Sequence, residues 1–323
     1  MIKMISRCIA ASATVLFACT SALAQPYPNK PVKVVVGFVP GGGPDFVARA
    51  LSTKLSDSQG QPFVVDNKPG AGGSLSTSLV AKAPADGYTL LLADTATLML
   101  APHLFKGTPA DALTELTPVG LVTTEPLIIV SHGKSSIKTL QDLIRQGKAS
   151  PGKISYGSSG IGSIHHISME VFKVGAGLDL AHIPYKGSGQ SILAVISGEV
   201  PISITSFAAA GAHILSGAVN LLAVTTRQRL TSHPDVPSLS EVAKDFDFGA
   251  SFGVLAPIGT PPEVIARLSR AIKQTAESQD FLDKFKGQAT IVKWTSPDEY
   301  RDFLRENQKK FDRAVKLVDL QPN

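Results

Sequence analysis

The stretch Val32–Phe38 (VKVVVGF), followed by Pro40-Gly41-Gly42-Gly43 and a helical pattern from Pro44, decides the fold. Seven residues with a near-continuous apolar run read as a strand buried on both faces, the mark of a parallel sheet covered by helices. About a hundred residues on, the pattern returns. Lys153–Gly157 reads as a short strand, Ser158-Ser159-Gly160-Ile161-Gly162-Ser163 as a Ser/Gly turn, and Ile164, Ile167, Val171 and Val174 mark one face of the next helix. A glycine-rich turn that opens a helix gathers backbone N–H groups at one point, and the helix dipole adds partial positive charge there. Two such turns can hold one anion from two sides.

Outward from these turns the chain alternates strand and helix. Gln61–Asp66 reads as a strand ahead of the turn Asn67–Gly73 (NKPGAGG), and Tyr88–Ala93 as an apolar buried strand. Leu121–Ser131 is a long extended stretch interrupted by Pro126, read as one strand passing between two lobes. Leu180–Ile183, Pro201–Thr205 and Leu221–Thr225 read as further strands, and Phe252–Ala256 as the return crossing. Pro261 and Pro262 start a helix, and the last helix, with Tyr300, Leu304, Phe311 and Val315 on one face, is expected to pack on the first lobe. The expected organisation is a leader over 1–24, a first lobe over 25–125 and 248–323, and an inserted second lobe over 126–247. Two lobes joined by two strands make a hinge.

The amino terminus reads as a secretory signal. Lys3 and Arg7 precede the apolar run Cys8–Ala18, too short for a membrane anchor, and Ala22-Leu23-Ala24 is a cleavage signal before Gln25. The alternative, lipidation at Cys19, is disfavoured by the bulk of Phe17. Both cysteines, Cys8 and Cys19, lie in this leader, so the exported chain has no thiol for disulfides or catalysis. Its basic residues drop from 31 to 29 against 26 acids, a mild excess without a dense run, and the aromatics are scattered. That excludes a nucleic-acid footprint.

Catalytic motifs fail one by one. Lys134-Ser135 has Ile128–Ile129 where the leading glycine of a phosphate loop belongs, and Gly160-x-Gly162 meets His165 instead of a third glycine. Gly157-Ser158-Ser159-Gly160-Ile161 lacks the closing glycine of a nucleophile elbow. His165 and His166 are adjacent, so on a helix they splay by about 100° rather than share a metal. No cofactor or metal is expected. Ser159 with His166 is the one nucleophile–base pair to weigh, and no acid partner accompanies it.

An ordered set of short motifs then covers the exported chain. It comprises Tyr27-Pro28-Asn29-Lys30-Pro31, Pro40–Gly43 with Asp45, Asn67–Gly73, Ala85–Leu91, Ser158–His166, His182–Gly187 and Ala256–Pro262. Together they resemble the Bug family of periplasmic solute-binding proteins, the receptors of tripartite tricarboxylate transporters. The resemblance implies an α/β, two-lobed periplasmic-binding-protein fold (Venus-flytrap, type II-like), each lobe a mostly parallel sheet flanked by helices. It also implies a non-enzymatic monomer that binds a small carboxylate and hands it to membrane permease subunits.

Carried over by residue, the family's pocket falls on Phe38 and Gly41, Gly42 and Gly43 of the first turn, and on Asp94, Thr95 and Thr97 of the turn after the Tyr88 strand. From the second lobe it takes Ser158, Ser159, Ser163, His166, Tyr185, Thr205 and Ser206. Ser163 is equally read as a helix cap, and His166 as a brace of the loop. Asp45 reads as a first-turn acid of its own helix. Three positions depart from the family pattern. Pro44 replaces a hydroxyl residue, Thr205-Ser206 replace an acid–amide pair, and Asp94 replaces a neutral residue. Without the acid at 205 an α-ammonium loses its partner, which favours a carboxylate lacking an amine, aromatic acids included. A carboxylate sensor and a hydrolase using the same cleft are the alternatives.

Overall fold

The computed structural model describes residues 27–105, 111–244, 246–286 and 289–318; the leader, its two cysteines and its cleavage site lie outside them. In chain order the first elements are β1 (Val32–Val36), α1 (Gly43–Gln59), β2 (Phe63–Asn67), α2 (Ser74–Ala81), β3 (Thr89–Asp94), α3 (Thr95–Leu104) and β4 (Leu116–His132). There follow α4 (Leu140–Ala149), β5 (Ser155–Ser158), α5 (Ile164–Ala176), β6 (Ala181–Pro184), α6 (Ser188–Ser197), β7 (Ile202–Ser206), α7 (Phe207–Leu215) and β8 (Val219–Val224). The chain closes with β9 (Gly249–Pro257), α8 (Pro262–Ala276), α9 (Gln279–Lys284), β10 (Ile291–Val292) and α10 (Pro297–Val318).

These elements form a two-lobed α/β structure. In the first lobe β2, β1 and β3 run parallel, and β9 then pairs antiparallel with both β3 and β4. In the second, β6, β5 and β7 run parallel, and β4 pairs antiparallel with β7 and β8. Each sheet therefore has the expected parallel core, and becomes mixed where the chain passes between lobes.

One strand does the passing. The 17 residues of β4 bond to β9 as far as Pro126 and to β7 and β8 from Leu127 onward. The strand stays buried along most of its length because both sheets pack helices on it. Thr225 fastens the junction: its Oγ1 accepts from the Leu127 N–H (2.8 Å), its own N–H donates to the Leu127 carbonyl (3.0 Å), and its carbonyl accepts from the Phe248 N–H (3.0 Å). The return hand-over thus lies just before β9. Phe252–Ala256, expected as the crossing, sits wholly inside the first sheet, held on both edges by β3 and β4.

The last helix also differs from expectation. It packs on α3 and β4 as foreseen, but reaches α5 of the second lobe as well. One core cluster accordingly runs without a break from Val34 through Leu121 and Phe252 to Phe172 and Phe311. A smaller one under α6 and α7 includes Ile128, Ile192, Val195 and Phe207.

Candidate binding cleft

The carboxyl ends of β1 and β2 in one lobe face those of β5 and β6 in the other, and turns from these four ends meet across the gap. Ligands of open parallel sheets bind outside such strand ends.

The turn after β1 is braced from within. Asp45 Oδ2 accepts from the Gly41 N–H (3.1 Å), and its carboxylate also takes Arg49 Nε (2.9 Å) and Asn67 Nδ2 (3.0 Å). Burial raises the Asp45 pKa, but the bonds from Arg49, Asn67 and Gly41 outweigh it and hold the group below its usual value. One N–H of the glycine run is therefore already in use. Pro44 stands in the helix's first turn, where a missing N–H costs nothing. The turn after β2 is the more unusual. Gly70, Ala71, Gly72 and Gly73 have φ of 147°, 46°, 60° and 102° in succession, and Thr97 Oγ1 donates to the Gly72 carbonyl (3.0 Å).

In the second lobe, Gly160 and Gly162 bend the Ser/Gly turn with φ of 121° and 78°. Ser163 caps α5: its Oγ accepts from the His166 N–H (3.2 Å) and donates to the Gly160 carbonyl (2.7 Å). Ser158 Oγ accepts from the Gly160 N–H (3.0 Å) and lies 2.6 Å from His182 Nε2. Ser159 Oγ lies 2.7 Å from His165 Nδ1. His166 stacks on His182 with ring centroids 4.1 Å apart, and Tyr156 continues the stack. Burial pushes His165 down to about 3, His166 to about 4 and His182 to about 3. All three are neutral near pH 7, so the turn carries no charge of its own.

The glycine turns of the first lobe touch the second lobe at two places. The Val39 N–H reaches the Lys186 carbonyl (3.4 Å), and a Cβ on Gly42 would stand 2.7 Å from Ser188 Oγ. A Cβ on Gly72 would stand 2.5 Å from the Ile161 carbonyl oxygen. Each glycine turn of the first lobe thus has its own partner across the gap. The turn after β1 meets Lys186–Ser188, and the turn after β2 meets Ile161–Gly162.

Between them lies a cavity of about 300 Å³. Its polar wall is Ser159, Gly160 and the Gly70–Gly73 backbone; Phe38, Phe105 and Tyr185 supply aromatic surface, and Lys186 is the one ionisable cation among the described residues that line it. Among the described residues no Asp or Glu side chain lines it.

Of the residues expected at the pocket, Phe38, Ser159 and Tyr185 form its wall. Gly41–Gly43 lie beside it at the inter-lobe contact. Ser158, Ser163 and His166 stand behind the wall; the two hydroxyls are engaged as described, and His166 Nδ1 accepts from the Gly162 N–H (3.4 Å). Asp94, Thr95 and Thr97 are buried at the start of α3, which begins directly from the strand without a turn because Asp94 Oδ1 accepts from the Ala96 N–H (3.2 Å). Burial pushes Asp94 up to about 7 against that bond. Ser206 caps α7 through the Ala209 N–H (3.3 Å), and Thr205 Oγ1 is buried without a hydrogen-bond partner among the described residues. Glu125 was not expected. It sits at the lobe junction where a Cβ on Gly43 would meet its Oε1, and burial, with a smaller push from Asp94, raises it to about 8.

The turn Gly70–Gly73 had a legible signal, since it follows a parallel strand just as Pro40–Gly43 does. Phe105 and Ile161 had none. Ser159 pairs with His165 rather than His166, and His165 Nε2 has no partner among the described residues, so no acid orients it. A histidine held near 3 is a poor general base at neutral pH. Among the described residues no group of three or more His, Cys, Asp or Glu could hold a metal, and no helix is long and apolar enough to cross a membrane.

Residues 47–320 match the family model of the tripartite tricarboxylate transporter family receptor (TctC). Protein BugT of Bordetella pertussis is 36% identical over 308 residues, covering 93% of this chain and 94% of its own. Among solved structures, R. palustris Rpa4515 with adipate superposes with a TM-score of 0.88 at 28% identity, covering 92% of this chain and all of that one. MatC from Rhodopseudomonas palustris with bound malate gives 0.83 at 26% identity over 90% of this chain, again covering all of that one.

Proposed function

The chain belongs to the tripartite tricarboxylate transporter receptor family, and from that premise we propose that it captures a small carboxylate lacking an α-amine in the cleft between its lobes. One observation carries this. Among the described residues the cavity wall offers a hydroxyl, glycine backbone and one ammonium, yet no carboxylate side chain. An anion finds donors there, whereas a ligand ammonium would be desolvated without a counter-charge. Phe38, Phe105 and Tyr185 suit an apolar or aromatic body.

The receptor works in the periplasm after cleavage behind Ala24, as a monomer without catalytic activity, and delivers its ligand to the permease subunits of a tripartite transporter. R. palustris Rpa4515 with adipate and MatC with bound malate support the ligand class. The pairing switch within β4 supports lobes of 25–125 with 248–323 and of 126–247.

A thermal-shift panel of adipate, malate, benzoate, glutamate and glucose tests this. A ligand at about 100 times its Kd adds about 2.7 kcal/mol, and at roughly 2–4 °C per kcal/mol the shift is several degrees. We expect it from an amine-free carboxylate, with glutamate and glucose silent. A large shift with glucose contradicts the assignment.

A further inference from the structure

Away from the cleft, a second cavity of about 620 Å³ opens between α5, α10, Ala243 and Lys244, and Phe246 to Phe248. Its floor is apolar, with Phe246 and Phe248 buried at the base, and Val174 and Leu317 about half exposed at the lip. Among the described residues four cations line it, Arg227, Lys244, Lys310 and Arg313, with one carboxylate, that of Asp247. That carboxylate is partly engaged, since its Oδ1 accepts from the Arg227 N–H (3.2 Å).

Lys310 is the telling residue. It is half-buried, its Nζ stands 4.8 Å above the Phe248 ring, and no ion pair within 4.0 Å reaches it among the described residues. Burial lowers its pKa, Asp247 works against that, and Arg227 and Arg313 add to it. A desolvated ammonium among like charges is costly unless an anion joins it. An apolar floor beneath such a group asks for a ligand with an apolar body.

We propose that this cavity is a binding site for an amphiphilic monoanion. Its carboxylate or sulfonate head lies against Lys310 and its aliphatic or aromatic body against Phe246, Phe248 and Leu317. The walls come from α5 of one lobe and α10, which packs on both, so the site lies at the lobe junction and is separate from the cleft.

The test is a fluorescence titration of the full exported chain with 8-anilinonaphthalene-1-sulfonate, competed by decanoate or by decanol. We expect one saturable site, displaced by decanoate and not by decanol. Lys310→Met should weaken dye binding about ten-fold or more, the worth of a hydrogen bond to a charged group, and Lys310→Arg should restore it. Ser159→Ala, in the cleft, should leave it unchanged. If Lys310→Met melts early, the double variant Arg227→Gln/Arg313→Gln carries the test and should also weaken binding. Unsaturable dye binding, equal displacement by decanol, or unchanged affinity in the charge-removing variants overturns the proposal. A loss seen only with Ser159→Ala places the dye in the cleft and overturns it as well.

Discussion

Gly72→Ala separates lobe closure from fold stability. Gly72 has φ 60° and ψ 15°, the left-handed region, where a side chain costs about 1–2 kcal/mol. That cost lies within the first lobe and is the same whether the lobes are open or closed, so it lowers the melting temperature alone. The added Cβ also stands 2.5 Å from the Ile161 carbonyl oxygen and 3.1 Å from the Gly162 carbonyl carbon, both on the opposite lobe. Those are backbone atoms of a turn held by the Ser163 cap, so they cannot swing aside as a flexible side chain would. Overpacking of this kind costs about 1–3 kcal/mol, and here it falls only on the closed state. Affinity should drop by about 5- to 150-fold. Gly177→Ala is the control: its φ is 64° and its Cβ would meet nothing within 4 Å, so it should lower stability and leave affinity alone. Calorimetry with the carboxylate that shifts the melt most, alongside small-angle scattering with and without it, reads both quantities. If Gly72→Ala binds within about two-fold of wild type and compacts equally on binding, the turn of Gly72 does not meet Ile161 in the bound state and the closure argument is refuted.

Two further outcomes follow from the same geometry. Ser159→Ala should lower carboxylate affinity about ten- to a hundred-fold, the worth of a hydrogen bond to a charged group. Ser163→Ala, losing a helix cap, should cost about 1 kcal/mol of stability with little change in affinity; the reverse pattern, from calorimetry and melting on the same variants, would exchange their roles. Stability should also fall between about pH 6.5 and 9. Asp94 and Glu125 are raised to about 7 and about 8, so the folded protein holds protons that the unfolded chain, titrating near 4, has released. Their contribution is whole below the unfolded values and lost as pH rises through the folded ones. His165, His166 and His182 are lowered, so theirs is whole above about 6.5 and lost toward 3 to 4, which masks the carboxylates on the acid side. Glu125→Gln should flatten the alkaline limb of a melting-temperature profile; an unchanged limb assigns the loss to other groups.

The elements were legible where local pattern decides them. A continuous apolar run before Pro40–Gly43 left no alternative to a buried strand, and Leu121–Ser131 was legible as one extended stretch that Pro126 interrupts but does not end, although the strand is longer at its start, from Leu116. Pro126 is tolerated because β9 pairing stops there and the next N–H bonds begin at Leu127. Asp94 was read as part of a turn, although an Asp before Thr95 is an ordinary helix cap and the helix starts at once. What local pattern could not supply is which turn faces which. Gly72 meets Ile161, and Gly42 meets Ser188, only through the angle between lobes, which the long β4 and the doubly packed α10 set together. The same holds for His166 on His182, sixteen residues apart and stacked because two parallel strands and a helix bring them together. Ser159 beside His165 follows from helix geometry, but the burial that keeps His165 neutral does not.

The most direct test of the central claim is a calorimetric titration of the exported chain with adipate and benzoate, each run beside its methyl ester. A cleft that holds a carboxylate through Ser159, Lys186 and glycine backbone predicts saturable one-to-one binding of at least one free acid. Its ester should bind about ten- to a hundred-fold more weakly, and in Ser159→Ala the gap between acid and ester should narrow, since both changes break one interaction. An ester that binds wild type as tightly as its acid would show that the cleft holds no carboxylate.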